Sequence, residues 1–104
     1  MELKLTDVID TLHRRCRYLI QYDNIDKIFV RFEDNNETVR VFIILNDNPD
    51  PDTLTSISLR YTHLFDDLSH FYTFEVLGSI NYFKPNKDTY TIWNKNCGFM
   101  GVYR

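Results

Sequence analysis

The sequence predicts one α+β domain spanning residues 1–104, a mixed three- to four-stranded sheet with helices packed mainly on one face. Three observations carry this. Residues 27–46 hold two β-branched and aromatic runs, 27–32 and 38–46, on either side of a short Asn/Asp-rich cluster, the pattern of a β-hairpin. Apolar residues recur at helical spacing before the hairpin, over 5–22, and after it, from 51 to about 69. At 104 residues and 43 % apolar, the chain can bury a core without staples and is too apolar for a disordered chain. The expected order is α-β-β-α-β, with a further short helix near the C-terminus; a ferredoxin-like sandwich is the alternative.

In the first helix Leu5, Val8, Leu12, Cys16 and Leu19 form one stripe, widened by Ile9 and Ile20. Thr6 or the preceding turn can cap it. Asp7 and Asp10 sit early and Arg14, Arg15 and Arg17 late, as the macrodipole prefers. His13, Arg14 and Arg17 point outward, and Tyr22-Asp23-Asn24 ends the helix. In the first strand Ile28, Val30 and Phe32 share a face, and Phe29 and Arg31 share the other, wetter one. The second strand carries four adjacent apolar residues, Phe42 to Leu45. A strand wet on one face would alternate, so this one is expected to be covered on both faces and central in its sheet.

Asp50 is a natural N-cap for the second helix, with Pro51 at its first position and Asp52 complementing the dipole. Leu54, Ile57, Tyr61, Leu64 and Leu68 repeat at three and four, with Phe65 widening the stripe. Residues 71–77 read as a third strand stopped by Gly78. Strand, helix, strand favours a right-handed parallel crossover from the second strand to the third. Residues 80–83 read as a short strand or extended segment ending at Pro85. Asp88 then caps a helix over 89–97, with Gly98 past its end and Ile92 and Trp93 as buried anchors. Residues 99–103 dock back onto the domain.

Composition narrows the function classes. The net charge of −3 argues against general nucleic-acid binding. The acidity is concentrated in residues 33–75, net −7, and a protein-binding or cation-attracting surface there is one reading. Cys16 and Cys97 lack metal-pair spacing and read as free thiols. With no signal-like or membrane-spanning run, they point to a reducing, cytoplasmic setting. Asn46, Asn48, Asp50 and Asp52 alternate like calcium ligands, but the loop lacks the required Gly and Glu, so turn and cap chemistry explains it. His63 and His70 are two helical turns apart, too far for a metal pair on adjacent turns. The serines sit in no nucleophile elbow, and no Gly-rich phosphate loop occurs. Tyr82, Lys84, Lys87 and Trp93 are the candidates for single-strand stacking and phosphate contact.

The order helix, strand, acidic loop, strand, helix, strand, tail resembles the minimal nucleotidyltransferase domains of prokaryotic toxin–antitoxin systems. Phe32-Glu33-Asp34 stands where that family has Phe-Gly-Ser. Arg40 and Phe42 fall where its Asp-x-Asp binds metal, and Glu75 matches its third acid. Gly98 or Gly101, with Val102-Tyr103-Arg104, matches its end. Two-metal phosphoryl chemistry needs clustered carboxylates, and Arg40 would repel the cations. The resemblance therefore implies an inactive relative kept for its fold.

The expected function is a small non-catalytic interaction protein with no cofactor and no metal. It would be a regulatory or inhibitory partner of another protein, one of basic character, or a homodimer; no membrane contact is expected. Seven Tyr and eight Phe exceed what one small core needs, so Tyr61, Tyr72, Tyr82, Trp93 and Tyr103 are the anchor candidates. Glu33, Asp34, Glu37, Asp47 and Asp50 would steer the partner. The rival is an Mg²⁺-dependent nucleotidyltransferase-like enzyme using Glu33, Asp34 and Glu75; single-stranded nucleic-acid binding is the third reading. Calorimetric titration of ATP with Mg²⁺ separates the first two. No binding tighter than about 100 μM is expected, whereas such binding, lost on Glu75→Gln, would assign those carboxylates to a metal.

Overall fold

The hairpin pattern is realised as two antiparallel strands, β1 (Lys27–Glu33) and β2 (Thr38–Ile44), in a computed structural model that describes residues 2–100. Their register runs from Lys27↔Ile44 to Glu33↔Thr38. Asp34, Asn35 and Asn36 close the hairpin in the left-handed region, with φ of 53°, 57° and 67°. Asn24, Asp47 and Asn48 also have positive φ, so every non-glycine left-handed position among the described residues is Asn or Asp. Short polar side chains tolerate this conformation best, which is how a chain with only three glycines makes its turns.

Helix α1 (Leu5–Tyr22) buries Val8, Ile9, Leu12, Cys16 and Ile20, the stripe its periodicity predicts. Its N-cap residue is Lys4, with no side-chain cap, so Thr6 does not serve. Helix α2 (Pro51–Leu64) starts as expected: the Asp50 carboxylate accepts from the Thr53 N–H at 2.8 Å, with Pro51 at the first position. It ends at Leu64 rather than near Ser69, and Asp66–Leu68 form a 3₁₀ turn. The carbonyl of Leu64, freed at the helix end, accepts from Arg15 Nη1 at 3.2 Å. The same guanidinium grips Asp67 with a two-pronged fork of 2.7 and 2.8 Å, tying α1 to this turn.

Strand β3 (Tyr72–Leu77) pairs parallel with β2 after the α2 crossover. The C-terminal region departs from expectation. Residues 89–97 are not a helix; Thr89–Asn94 form β4, which pairs antiparallel with β1, and Gly98–Phe99 form β5. Thr89-Tyr90-Thr91-Ile92-Trp93 is β-branched and aromatic throughout, and that pleat-filling character outweighs the cap signals of Asp88 and Gly98. The Asp88 carbonyl instead accepts from the Phe32 N–H, extending the sheet ladder. Of the two expected anchors Ile92 is fully buried, while Trp93 is half-buried. The sheet is thus five-stranded, not three- or four-stranded, in the order β3-β2-β1-β4-β5. Strand β2 is interior, and β1 occupies the centre because β4 adds on its far side.

Both helices contribute to a core with Ile28, Val30, Val39, Val41, Ile43 and Ile92 on one face. On the other face Phe42 and Ile44 are buried under Phe83, with Phe29 and Leu77 beside them. The cover comes from the connection between β3 and β4, a 3₁₀ turn at Ile80–Tyr82 followed by extended chain at Phe83. Residues 80–83 are therefore not a short strand but a strap across the second face, extended only from Phe83. The Phe83 ring stacks on Phe29 at 4.5 Å and tilts against Phe42 at 4.8 Å. Arg31 lies over Phe42 at 4.8 Å and donates from Nη2 to the Lys84 carbonyl at 2.7 Å, clamping the strap to the sheet. Phe83→Ala is expected to cost about 3 kcal/mol in a denaturant titration, the usual penalty for emptying an aromatic site.

Candidate interaction surfaces

The structure divides the expected anchors. Tyr61 and Tyr72 are core residues, exposed by 0 % and 6 %, so neither can anchor a partner. Tyr61 faces Phe74 from α2, and Tyr72 packs on Phe65. Burial pushes both phenols up from the ordinary tyrosine value, since the charged form would lose its water. Tyr82 is 61 % exposed on the strap, and Trp93 is half-buried edge-on to Phe99. Tyr103 and the Gly101–Arg104 end of the family resemblance lie outside the described residues.

The acidic candidates are mostly engaged locally. The Asp50 carboxylate caps α2, and the bonds from Thr53 hold it below the usual carboxylate range. Asp34 accepts from the Thr38 hydroxyl at 3.0 Å. Asp47 lies exposed in a left-handed turn, and Glu37 is exposed beside the hairpin turn. The 46–50 loop is held against the end of β3: Asn48 N–H donates to the Gly78 carbonyl at 3.1 Å. A Cβ on Gly78 would lie 2.6 Å from Asn48 Oδ1 and 3.3 Å from Asn48 Cα, so a larger residue here would have to displace the Asn48 side chain.

Glu33 and Glu75 do converge, on the uncovered part of the second sheet face. Between them lies Arg40, at 3.4 Å from Glu33 and 3.7 Å from Glu75. Asp34 is taken up by the Thr38 hydroxyl at 3.0 Å, and the three proposed carboxylates do not form one metal-holding cluster. Among the described residues no group of three or more His, Cys, Asp or Glu is arranged to hold a metal ion. His63 and His70 are exposed, and His13 packs edge-on to Phe99 at 5.0 Å. The nucleic-acid candidates are also split. Trp93 packs against the helix-side core, whereas Tyr82, Lys84 and Lys87 belong to the chain that crosses or leaves the opposite face.

Two features escaped sequence reasoning. One is a set of exposed apolar side chains off the helical stripes, Tyr18 at 74 %, Tyr22 at 79 % and Leu59 at 53 %. Their positions were legible: each falls outside its helix's buried repeat. The other is the edge of β3, which among the described residues pairs only with β2. Val39 N–H donates to the Phe71 carbonyl and Leu45 N–H to the Leu77 carbonyl. With the parallel register, this turns the backbone groups of Thr73, Glu75 and Leu77 inward and those of Tyr72, Phe74 and Val76 outward. Beside this edge α2 presents Thr55, Ser58, Leu59 and Thr62, none of them charged, above shallow grooves floored by Phe74 and Val76. No proline or lysine blunts the strand, and Glu75 is its one charge.

Comparison of the chain with protein-family models, curated proteins and solved structures gave no match. No helix among the described residues is long and apolar enough to cross a membrane.

The two thiols differ sharply. Cys16 is fully buried under α1, and desolvation pushes its pKa up to about 12; Cys97 is exposed. At pH 8 a thiol reagent should modify Cys97 promptly and Cys16 only at the rate of unfolding, read by mass spectrometry as one fast and one slow label.

Proposed function

We infer that this is a small non-catalytic protein-interaction module, a regulatory or inhibitory partner or a self-associating protein, that works by accepting a strand at the β3 edge. The observation that carries the reading is the row of outward backbone groups on Tyr72, Phe74 and Val76 beside the uncharged flank of α2. Unpaired strand edges bind extended chains through main-chain hydrogen bonds, while neighbouring grooves select side chains. On its helix side the surface is suited to a strand whose side chains there are uncharged and apolar. A basic partner steered by acidic loops is less well supported, because Glu33 and Glu75 are paired with Arg40 and Asp50 is spent as a cap. The resemblance to nucleotidyltransferase domains enters as a fold retained without its chemistry. Its support is Arg40, a cation standing between the two acids that would have to receive metal.

The test is an NMR titration with a nine-residue peptide copying residues 70–78, with a control N-methylated at alternate positions to remove its donors. The unmodified peptide should shift the amides of Tyr72, Phe74 and Val76 most, and the methylated one should not. With the protein held dilute enough to be monomeric, shifts confined to the strap around Tyr82, or none, would remove the edge reading.

A further inference from the structure

We propose that the occupant of the β3 edge is a second copy of this chain, docked antiparallel about a twofold axis through Phe74, so that two sheets become one. The inference rests on the edge reading above and names its partner.

The strand is self-complementary in one register. Directly opposed residues in an antiparallel pair must point to the same face, so a symmetric pairing must centre on a residue. Centring on Phe74 lets every outward donor find an outward acceptor. Phe74 exchanges both bonds with Phe74 of the second copy, and Tyr72 exchanges both with Val76. Centring on Thr73 or Glu75 leaves an outward residue at one end of the strand unpaired, and centring on Glu75 also sets two carboxylates face to face.

The Phe74 register suits the charges as well. It puts Glu75 opposite Thr73 of the second copy, and Thr73 is the lateral neighbour of Arg40. Each Glu75 therefore enters the row that already holds the other copy's Arg40, about two strand spacings or ~9.6 Å away, a span that the two long side chains can share. A twofold axis normal to the sheet keeps both α2 helices on one side. They then face each other through Thr55, Ser58 and Leu59, whose small or apolar side chains permit close approach. This would cover Leu59, which is 53 % exposed in the single chain. Among the described residues the strand at the opposite edge, β5, is only two residues long, too short for an equivalent pairing.

Sedimentation of the full chain over a range of concentrations, with charge variants at Thr73, is the test. The wild type should show a monomer–dimer equilibrium. Thr73→Glu sets a carboxylate opposite each Glu75 and should raise the dimer Kd tenfold or more. Within its own chain the new carboxylate lies beside Arg40, so folding is preserved. Adding Glu75→Lys to that variant should restore association by reversing the pairing. Register is read by oxidising an equimolar mixture of Thr73→Cys and Glu75→Cys chains, both carrying Cys97→Ser. The unlike pair is directly opposed at a Cα separation of about 4.5 Å and should cross-link, while like pairs, offset along the strand, should not. A monomer at every concentration overturns the proposal, as does a dimer indifferent to Thr73→Glu with no unlike cross-link. A monomer whose Tyr72, Phe74 and Val76 amides still respond to the strand peptide rejects the second copy and leaves strand acceptance standing. A monomer silent to the peptide removes both.

Discussion

Strand β2 is apolar on both faces, and the rest of the architecture follows from the need to cover it. Val39, Val41 and Ile43 face the helices; Phe42 and Ile44 face away from them. Two amphipathic helices on one side cannot cover the second row. The chain meets this need by leaving β3 through a 3₁₀ turn and crossing the second face with Phe83 pressed onto Phe29 and Phe42. That crossing delivers the chain to the far side of β1, where Thr89–Asn94 add as β4. Strand β3, which among the described residues pairs only with β2, is left at the margin. The open edge is thus a consequence of how β2 is buried.

The polar groups of the second face divide along the same line. Under the strap, Arg31 serves packing: its guanidinium covers Phe42 and holds the Lys84 carbonyl. Beyond the strap, Arg40 lies between Glu33 and Glu75, all three partly exposed. Exposed pairs of this kind contribute little to stability because water screens them. Their consequence is electrostatic: the face that would need converging negative charge for metal-assisted chemistry carries a fixed cation there instead.

Most of this fold was legible where one local signal dominated. The stripe of Val8, Leu12 and Cys16, the Asp50-Pro51 helix start and the unbroken run from Phe42 to Leu45 each admit one structural solution. Over residues 89–97 two local signals compete: Asp88 and Gly98 look like helix caps, but Thr89 to Trp93 fills a pleat far better than a helix, and the strand wins. That β2 lies inside the sheet was legible from its apolar run; that β1 rather than β2 takes the centre was not, because it depends on where the crossing chain lands. For the site, residue type alone makes Tyr61 and Tyr72 surface-anchor candidates, yet Tyr61 lies on the helical stripe and belongs inside by periodicity. The β3 edge had no residue-level signal: a strand sequence does not say which of its backbone groups lack a neighbour.

The outward and inward alternation of β3 is most directly measured by residue-resolved amide hydrogen exchange in dilute solution, where any association is reversed. Thr73, Glu75 and Leu77, bonded to β2, should be protected, while Tyr72, Phe74 and Val76 should exchange orders of magnitude faster. Raising the concentration should slow the second set selectively. Equal protection of all six amides in dilute solution would contradict an open β3 edge.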